Sequence, residues 1–122
     1  MEFALTMPLM LALAAAVVDF GWYFNQQMTV LHAVREGARA GSITAEDGDP
    51  ATVAIARVQE ALDAANIDYS QGTIDALYSG SPPMELIEVS ASLPYQPIVT
   101  LVPVPVNLNA ALTMRLEDQA DE

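Results

Sequence analysis

The chain opens with a long apolar run that changes into an amphipathic helical pattern. No residue is charged over the range 3–18; Asp19 follows, and then an aromatic cluster from Phe20 to Phe24. A membrane-spanning helix needs roughly 20 mostly apolar residues, so the range 3–24 is long enough to span a bilayer with one acid inside it. Trp22 and Tyr23 stand where amphipathic rings line a membrane interface. The first half of this helix is therefore expected to lie in a membrane.

The same helix is expected to continue well beyond the apolar run. Helical spacing predicts it from about Glu2 to about Ala40, with Gly41 as the residue that ends it. Pro8 lies too far in to be a first-turn proline, so a kink or local melting is expected near Leu5–Thr6. In the polar half, one stripe is predicted to cover the remaining domain. It consists of Met28, Leu31, Arg35 and Ala38, widened by Val30 and Val34.

A second helix is predicted after an acidic loop. Asp49 is the expected N-cap and Pro50 the first helical residue, and Asn66 is a plausible end. The apolar face of this helix is expected to consist of Ala54, Ile55, Val58, Ala61, Leu62 and Ala65.

The period then changes from 3.6 to two, which is typical of half-buried strands. A short edge strand is expected at Thr73–Tyr78, closed by the breaker run at 79–83. Two alternating strands follow, one with Ile87, Val89, Ala91 and Leu93 inward, the other over Val106–Leu116. Four prolines in the intervening segment 94–105 exclude a central strand there. The predicted class is α+β, with a helix at 1–42 that continues into a small acidic domain at 43–122.

Composition limits the chemistry of this chain. Sixteen acids against four arginines give a formal net charge of −12, which argues against nucleic acid or an anionic membrane surface as a partner. The chain has no cysteine, and His32 is its only histidine, so neither an enzyme, a cofactor nor a metal centre is expected. The segment Glu46–Asp49 lacks the distant glutamate of an EF-hand, which favours a turn and helix cap over a weak Ca²⁺ site.

The start of the chain does not fit a secretory signal. No basic residue precedes Phe3, and the residues around Asp19 form no cleavage site. The simplest interpretation is that a basic leader has been removed. The alternative, that Met1 is the initiator, remains open.

Several motifs together resemble the TadE-like pilins of the tight-adherence pilus system. The matching residues are Glu2-Phe3, Pro8, Asp19-Phe20-Gly21 and the stretch AVREGARA at Ala33–Ala40. Leu93-Pro94-Tyr95 and the late residues Ala111, Met114, Arg115 and Glu117 fit as well. The resemblance implies a pilin-like subunit that is held in the bacterial inner membrane, with its C-terminal domain outside the cytoplasm. It further implies assembly into a surface filament for adhesion, as a major or minor pilin.

The resemblance also implies partners and an assembly surface. The partners are other copies of the chain or other pilins, the assembly platform and the prepilin peptidase. Helix packing is expected through Phe3, Leu5, Pro8, Leu9, Ala12, Ala15, Ala16 and Phe20. Inter-subunit charge pairing is expected through Glu2, Asp19, Arg35 and Arg39.

Each of these charged residues has a simpler interpretation. Taken without the family, Glu2 is an ordinary acid in a first helical turn, and Asp19 is an acid that reaches water near the interface. Arg35 and Arg39 suit the negative end of a helix dipole. The apolar loop with Ile98, Val99, Leu101 and Val102 either packs on a neighbouring subunit or covers the domain's own core.

A different class of function stays open beside the pilin interpretation. A bitopic membrane protein with an acidic outer domain that binds a partner without polymerising would show the same hydrophobic pattern.

Overall fold

The computed structural model describes residues 2–44, 49–81, 84–95, 98–99 and 107–115. Within these ranges the elements are α1 (Glu2–Ser42), α2 (Pro50–Ala64), β1 (Thr73–Ser81), β2 (Met84–Pro94) and β3 (Asn107–Arg115). The strands form a three-stranded antiparallel sheet with β2 in the centre. Both helices pack on this sheet and on each other, and their buried residues share one core with the inward row of β2. The predicted α+β fold is confirmed.

Helix α1 runs without interruption for 41 residues, which corresponds to about 60 Å. The expected local melting at Leu5–Thr6 is wrong. Pro8 removes one backbone N–H, but the residues on both sides are mostly strong helix formers. The Thr6 hydroxyl also donates to the carbonyl oxygens of Glu2 and Phe3 at 3.2 and 3.3 Å. The first turns therefore stay helical around the proline.

The predicted stripe of α1 is confirmed in part: Val30, Val34 and Ala38 are buried and Leu31 is partly buried. Met28 is 52% exposed and Arg35 is exposed, so neither belongs to the face that covers the domain. The prediction followed the large side chains, whereas much of the observed face consists of small residues that let another helix approach. The buried residues of this half are Val30, Ala33, Val34, Gly37, Ala38, Gly41 and Ser42.

The contact between α1 and α2 depends on two glycines. A Cβ atom at Gly37 would overlap the Val58 side chain and lie 2.8 Å from the Ala54 carbonyl oxygen. A Cβ atom at Gly41 would lie 2.5 Å from Cδ1 of Ile87 and 3.1 Å from the Pro50 carbonyl oxygen. Because backbone atoms of α2 lie this close, only glycine fits at Gly37 without a shift of one helix.

Helix α2 begins and ends as the sequence predicted. The Asp49 carboxylate accepts hydrogen bonds from the Ala51 N–H at 3.2 Å and the Thr52 hydroxyl at 2.6 Å. The bond from Thr52 is the main reason that the pKa of Asp49 lies below its usual value. At the other end Asn66 takes a left-handed conformation (φ 57°), and the Ile67 N–H bonds the Leu62 carbonyl at 3.0 Å. This is a Schellman end with asparagine in the glycine position.

The inward face of α2 is narrower than predicted. Ala54, Val58 and Leu62 are buried, whereas Ile55 and Ala61 are only partly buried. Ala65 is exposed, because it follows the last helical residue, Ala64.

The strands follow the predicted alternation. Ile87, Val89, Ala91 and Leu93 are all buried on the helix side of β2. In β3, Leu108 and Ala110 are buried, and Leu112 and Met114 are partly buried; Val106 and Leu116 lie outside the described residues.

β1 is an edge strand, as predicted, but it extends to Ser81 rather than Tyr78. Its last residues pair with the start of β2, from Ser79 opposite Leu86 to Ser81 opposite Met84. Ser79, Gly80 and Ser81 have low intrinsic strand propensity, and pairing with β2 keeps them in the strand.

Strand β2 runs along α1, with the two chain directions opposed. Ile87, near the start of β2, lies beside Gly41 at the end of α1. Tyr95, just after β2, donates its hydroxyl hydrogen bond to the Asp19 carbonyl oxygen at 3.1 Å. The end of the sheet that carries Tyr95 therefore lies nearest to the apolar half of α1.

The glycine contact predicts a stability difference between two alanine variants. Gly37→Ala places a methyl group against the backbone of α2, so we expect a loss of about 1–3 kcal/mol in unfolding free energy. Gly21→Ala is the matched control, because nothing lies within 4 Å of a Cβ atom at Gly21 and alanine favours helix. Thermal unfolding of the full chain in detergent, followed by circular dichroism, measures both. Equal midpoints for the two variants would contradict the close contact.

Candidate assembly surface

The N-terminal half of α1 exposes a continuous apolar surface. An 18-residue window of the helix has a mean hydropathy of 2.0, and only 6% of it is buried. A core helix of a soluble domain with this composition would be mostly buried, and this one is not. By length and composition, α1 is a candidate membrane-spanning helix. Its large exposed apolar residues before Asp19 are Phe3, Leu5, Met7, Leu9, Met10, Leu11, Leu13, Val17 and Val18.

The residues predicted for helix packing fall into two groups. Phe3, Leu5, Pro8, Leu9 and Ala12 are exposed and available to lipid or to another helix. By contrast Ala15 is buried, and Ala16 and Phe20 are partly buried. These three are already covered, wholly or in part, within the chain itself.

Glu2 is exposed in the first turn of α1. Its carboxylate has no ion-pair partner among the residues that the structure describes. The position is compatible with both interpretations of this acid, the helix start and the pairing group.

Asp19 is fully buried, although it lies within the apolar helix. Its Oδ1 accepts a hydrogen bond from the Val99 N–H at 2.8 Å, and its main-chain oxygen accepts one from the Tyr95 hydroxyl. Its Oδ2 has no hydrogen-bond partner in the described part of the chain. The interpretation that Asp19 simply reaches water is therefore wrong, because its side chain is fully buried and accepts a hydrogen bond from Val99.

Tyr95 forms the second half of this junction. Its ring packs edge-to-face on Tyr23, with 5.3 Å between the ring centroids. Burial raises the pKa of the Tyr95 phenol, and the nearby Asp19 and Tyr23 raise it further. Sequence reasoning placed Tyr95 in a family motif but not against Asp19, because 76 residues separate the two. Pro94 and Tyr95 at the end of β2 form no local pattern that predicts a contact with Asp19.

A further hydrogen bond links the sheet to α1 about two turns after Asp19. The Gln27 side-chain amide donates to the Asn109 carbonyl oxygen of β3. Together with the bonds to Asp19, this link fastens the sheet to α1 at the start of its polar half.

Arg35 and Arg39 lie on the exposed side of α1, outside the core. Neither has an acidic partner within the described ranges. Glu36, which lies between them in sequence, instead faces Arg57 of α2 at 3.7 Å, and Arg57 also pairs with Glu60 at 3.1 Å. The motif at Ala33–Ala40 thus divides into a buried small-residue face and an outward face with two arginines.

The two segments proposed from sequence as loops are only partly described. Ile98 is 58% exposed and Val99 is half-buried, whereas Leu101 and Val102 lie outside the described residues. In the acidic segment only Asp49 is described, and it caps α2. His32 is exposed, and the described residues contain no group of three or more acids and histidines that could hold a metal ion.

The raised pKa of Tyr95 predicts a pH dependence of stability. The folded state holds the phenol proton more tightly than the unfolded state does. The protonated phenol therefore makes its full contribution to the unfolding free energy below the unfolded pKa of about 10. This contribution is lost as pH rises through the folded pKa. We expect Tyr95→Phe to be less stable at pH 7, by about 0.5–1.5 kcal/mol for the lost hydrogen bond. The variant should then lose less stability than the wild type above pH 10.

Denaturant unfolding between pH 7 and 12 measures both effects. The other tyrosines are present in both proteins, so the difference isolates Tyr95. Parallel stability profiles would contradict the buried position of the phenol.

Comparison with known proteins agrees with the N-terminal part of the predicted resemblance. The family model of TadE-like proteins matches residues 1–39, which include Glu2-Phe3, Pro8, Asp19-Phe20-Gly21 and most of the Ala33–Ala40 motif. The motifs near Tyr95 and Arg115 lie outside this match. Searches of curated proteins and of solved structures find no match. Residues 1–39, which make up most of the candidate membrane-spanning helix, are therefore similar to TadE-like proteins, and this similarity suggests a relation to the tight-adherence pilus system.

Proposed function

We propose that the chain is a pilin-like structural subunit of a tight-adherence surface filament. The N-terminal half of α1 anchors it in the bacterial inner membrane, and the acidic C-terminal domain lies outside the cytoplasm. The subunit is then extracted into a filament whose core is a bundle of such helices, formed with other copies or other pilins. By resemblance, a prepilin peptidase and an assembly platform act on it, and the filament serves adhesion.

The observation that carries this proposal is the exposed apolar half of α1 beside a domain with its own core. Burying one leucine-sized side chain is worth about 1.5–3 kcal/mol, so a surface that includes Phe3, Leu5 and Leu9 is too unfavourable in water. Lipid satisfies it before assembly, and helix packing satisfies it afterwards. Small residues such as Ala12 and Ala14 let neighbouring helices approach closely.

Charge gives the bundle its register in this proposal. Glu2 pairs with the terminal ammonium of a neighbouring subunit, since an unpaired carboxylate in an apolar core is costly. The second oxygen of Asp19 and the outward arginines Arg35 and Arg39 are further candidates for pairing between subunits. In a chain with so few cations, the two arginines have many acidic partners to choose from on a neighbouring head.

The Glu2→Gln variant tests the pairing. If Glu2 only starts a helix, the loss is limited to roughly 0.3–1 kcal/mol of dipole interaction. If it pairs inside the bundle, each contact loses on the order of 3–5 kcal/mol, and the loss recurs at every subunit. We therefore expect filament yield to collapse while the amount of membrane-bound protein stays unchanged. The assay compares sheared filaments with the membrane fraction.

Glu88→Gln is the matched control, because Glu88 is an exposed glutamate in the central strand of the sheet and not part of the apolar helix. It removes the same charge and should leave the filament yield unchanged. Equal yields from both variants and the wild type would exclude the pairing mechanism. Membrane-bound protein without filaments in the wild type would favour the alternative, an anchored domain that binds a partner without polymerising.

A further inference from the structure

The junction at Asp19 fixes how far the C-terminal domain reaches down the apolar helix. The Val99 N–H lies 2.8 Å from Oδ1 of Asp19, and the bond from Tyr95 reaches the main chain of the same residue. Asp19 is fully buried. Ile98 and Val99 are therefore held at the level of Asp19 along the helix axis.

The length of the helix sets where this level lies in a bilayer. From Glu2 to Asp19 an α-helix rises about 26 Å, and from Glu2 to Trp22 it rises about 30 Å. The hydrocarbon core of a bilayer is about 30 Å thick. With the charged Glu2 at the inner boundary, Trp22 reaches the outer boundary, where tryptophan is enriched. Asp19 then lies about 4 Å inside that boundary, and helix tilt would place it deeper.

The chemistry of the segment suits this depth. Residues 94–99 carry no charge, and the Ile98 side chain is 58% exposed beside the half-buried Val99. Apolar side chains of interfacial segments typically enter the boundary between headgroups and acyl chains by about 5–10 Å. When the helix spans a bilayer, an exposed isoleucine at this level can bury its side chain in lipid.

We propose that, while the subunit is anchored, Ile98 and Val99 lie in the outer interface of the bilayer, so that the domain rests on the membrane surface. The Val99 N–H then brings a hydrogen-bond donor to Asp19 at a depth where water is scarce. This contact explains how an acid is tolerated inside the apolar run. The proposal rests on the anchored state of the proposed function and does not require filament assembly.

The single tryptophan of the chain makes the depth measurable. The full chain is reconstituted in phosphatidylcholine vesicles whose lipids carry a nitroxide quencher just below the headgroup. Three proteins are compared: the wild type, which reports on Trp22, and the variants Ile98→Trp and Leu77→Trp, each combined with Trp22→Phe. Leu77 is a matched position, since it is 64% exposed. It pairs with Glu88, six residues and about 20 Å along β2 from Pro94.

We expect Ile98→Trp to lose a fraction of its emission comparable to that of Trp22, and Leu77→Trp to lose none. If Trp22 is quenched and Ile98→Trp is not, the proposal is overturned while membrane anchoring stands. If neither is quenched, the anchored state itself fails, and both the proposal and the proposed function fall with it.

A second measurement tests whether the tryptophan introduced at position 98 itself causes the membrane contact. The chain has no cysteine, so Ile98→Cys and Leu77→Cys each give a unique site for a spin label. In the same vesicles without quencher, the label at position 98 should collide more with oxygen and less with a water-soluble nickel chelate than the label at position 77. Equal collision rates at the two positions would overturn the membrane contact.

Discussion

The close packing of α1 on α2 determines how the long helix is joined to the C-terminal domain. At Gly37 the backbone of α2 approaches so near that a methyl group would meet the Ala54 carbonyl oxygen. That approach lets Val30 and Val34 share one core with Val58 and the inward row of β2. The second half of α1 therefore packs as part of the domain, and the first half continues from it in the same uninterrupted helix.

A second contact determines where the domain ends along the helix. Asp19 would be a costly interruption of an apolar run if it stood alone, because a buried carboxylate needs hydrogen-bond donors. The chain supplies one from the Val99 backbone, and it covers the Asp19 carbonyl with the Tyr95 hydroxyl. This arrangement converts an acid that is unfavourable in lipid into an attachment point for the segment after β2.

These two contacts divide residues 1–39, which are similar to TadE-like proteins, into residues that pack within the chain and residues that stay exposed. The small residues, such as Ala33, Gly37 and Ala38, serve the fold of their own chain, whereas Arg35 and Arg39 face outward. The apolar residues before Ala15 face no part of the domain and need lipid or other helices. A helix that is locked to its domain at one end and uncovered at the other suits the role of a subunit proposed to move from a membrane into a bundle.

Sequence alone determined most of the architecture, because the signals involved are local. The change of period from 3.6 to two separated helices from strands, and Asp49-Pro50 and Asn66 marked the ends of α2 through bonds within a few residues. The alternating rows of β2 and β3 followed from burial on one face. The family motifs in residues 1–39 were also visible without a structure.

Only the tertiary structure decided which face of α1 is buried and what surrounds Asp19. The predicted stripe correctly included Val30 and Val34 but wrongly included Met28 and missed Gly37 and Gly41. The close approach of the helix backbones sets this face, and glycine carries little hydrophobic signal. Asp19 meets Tyr95 and Val99 across 76 and 80 residues, and no local pattern encodes a bond from a main-chain N–H to so distant a carboxylate. Such contacts exist only once the sheet has been placed along the helix.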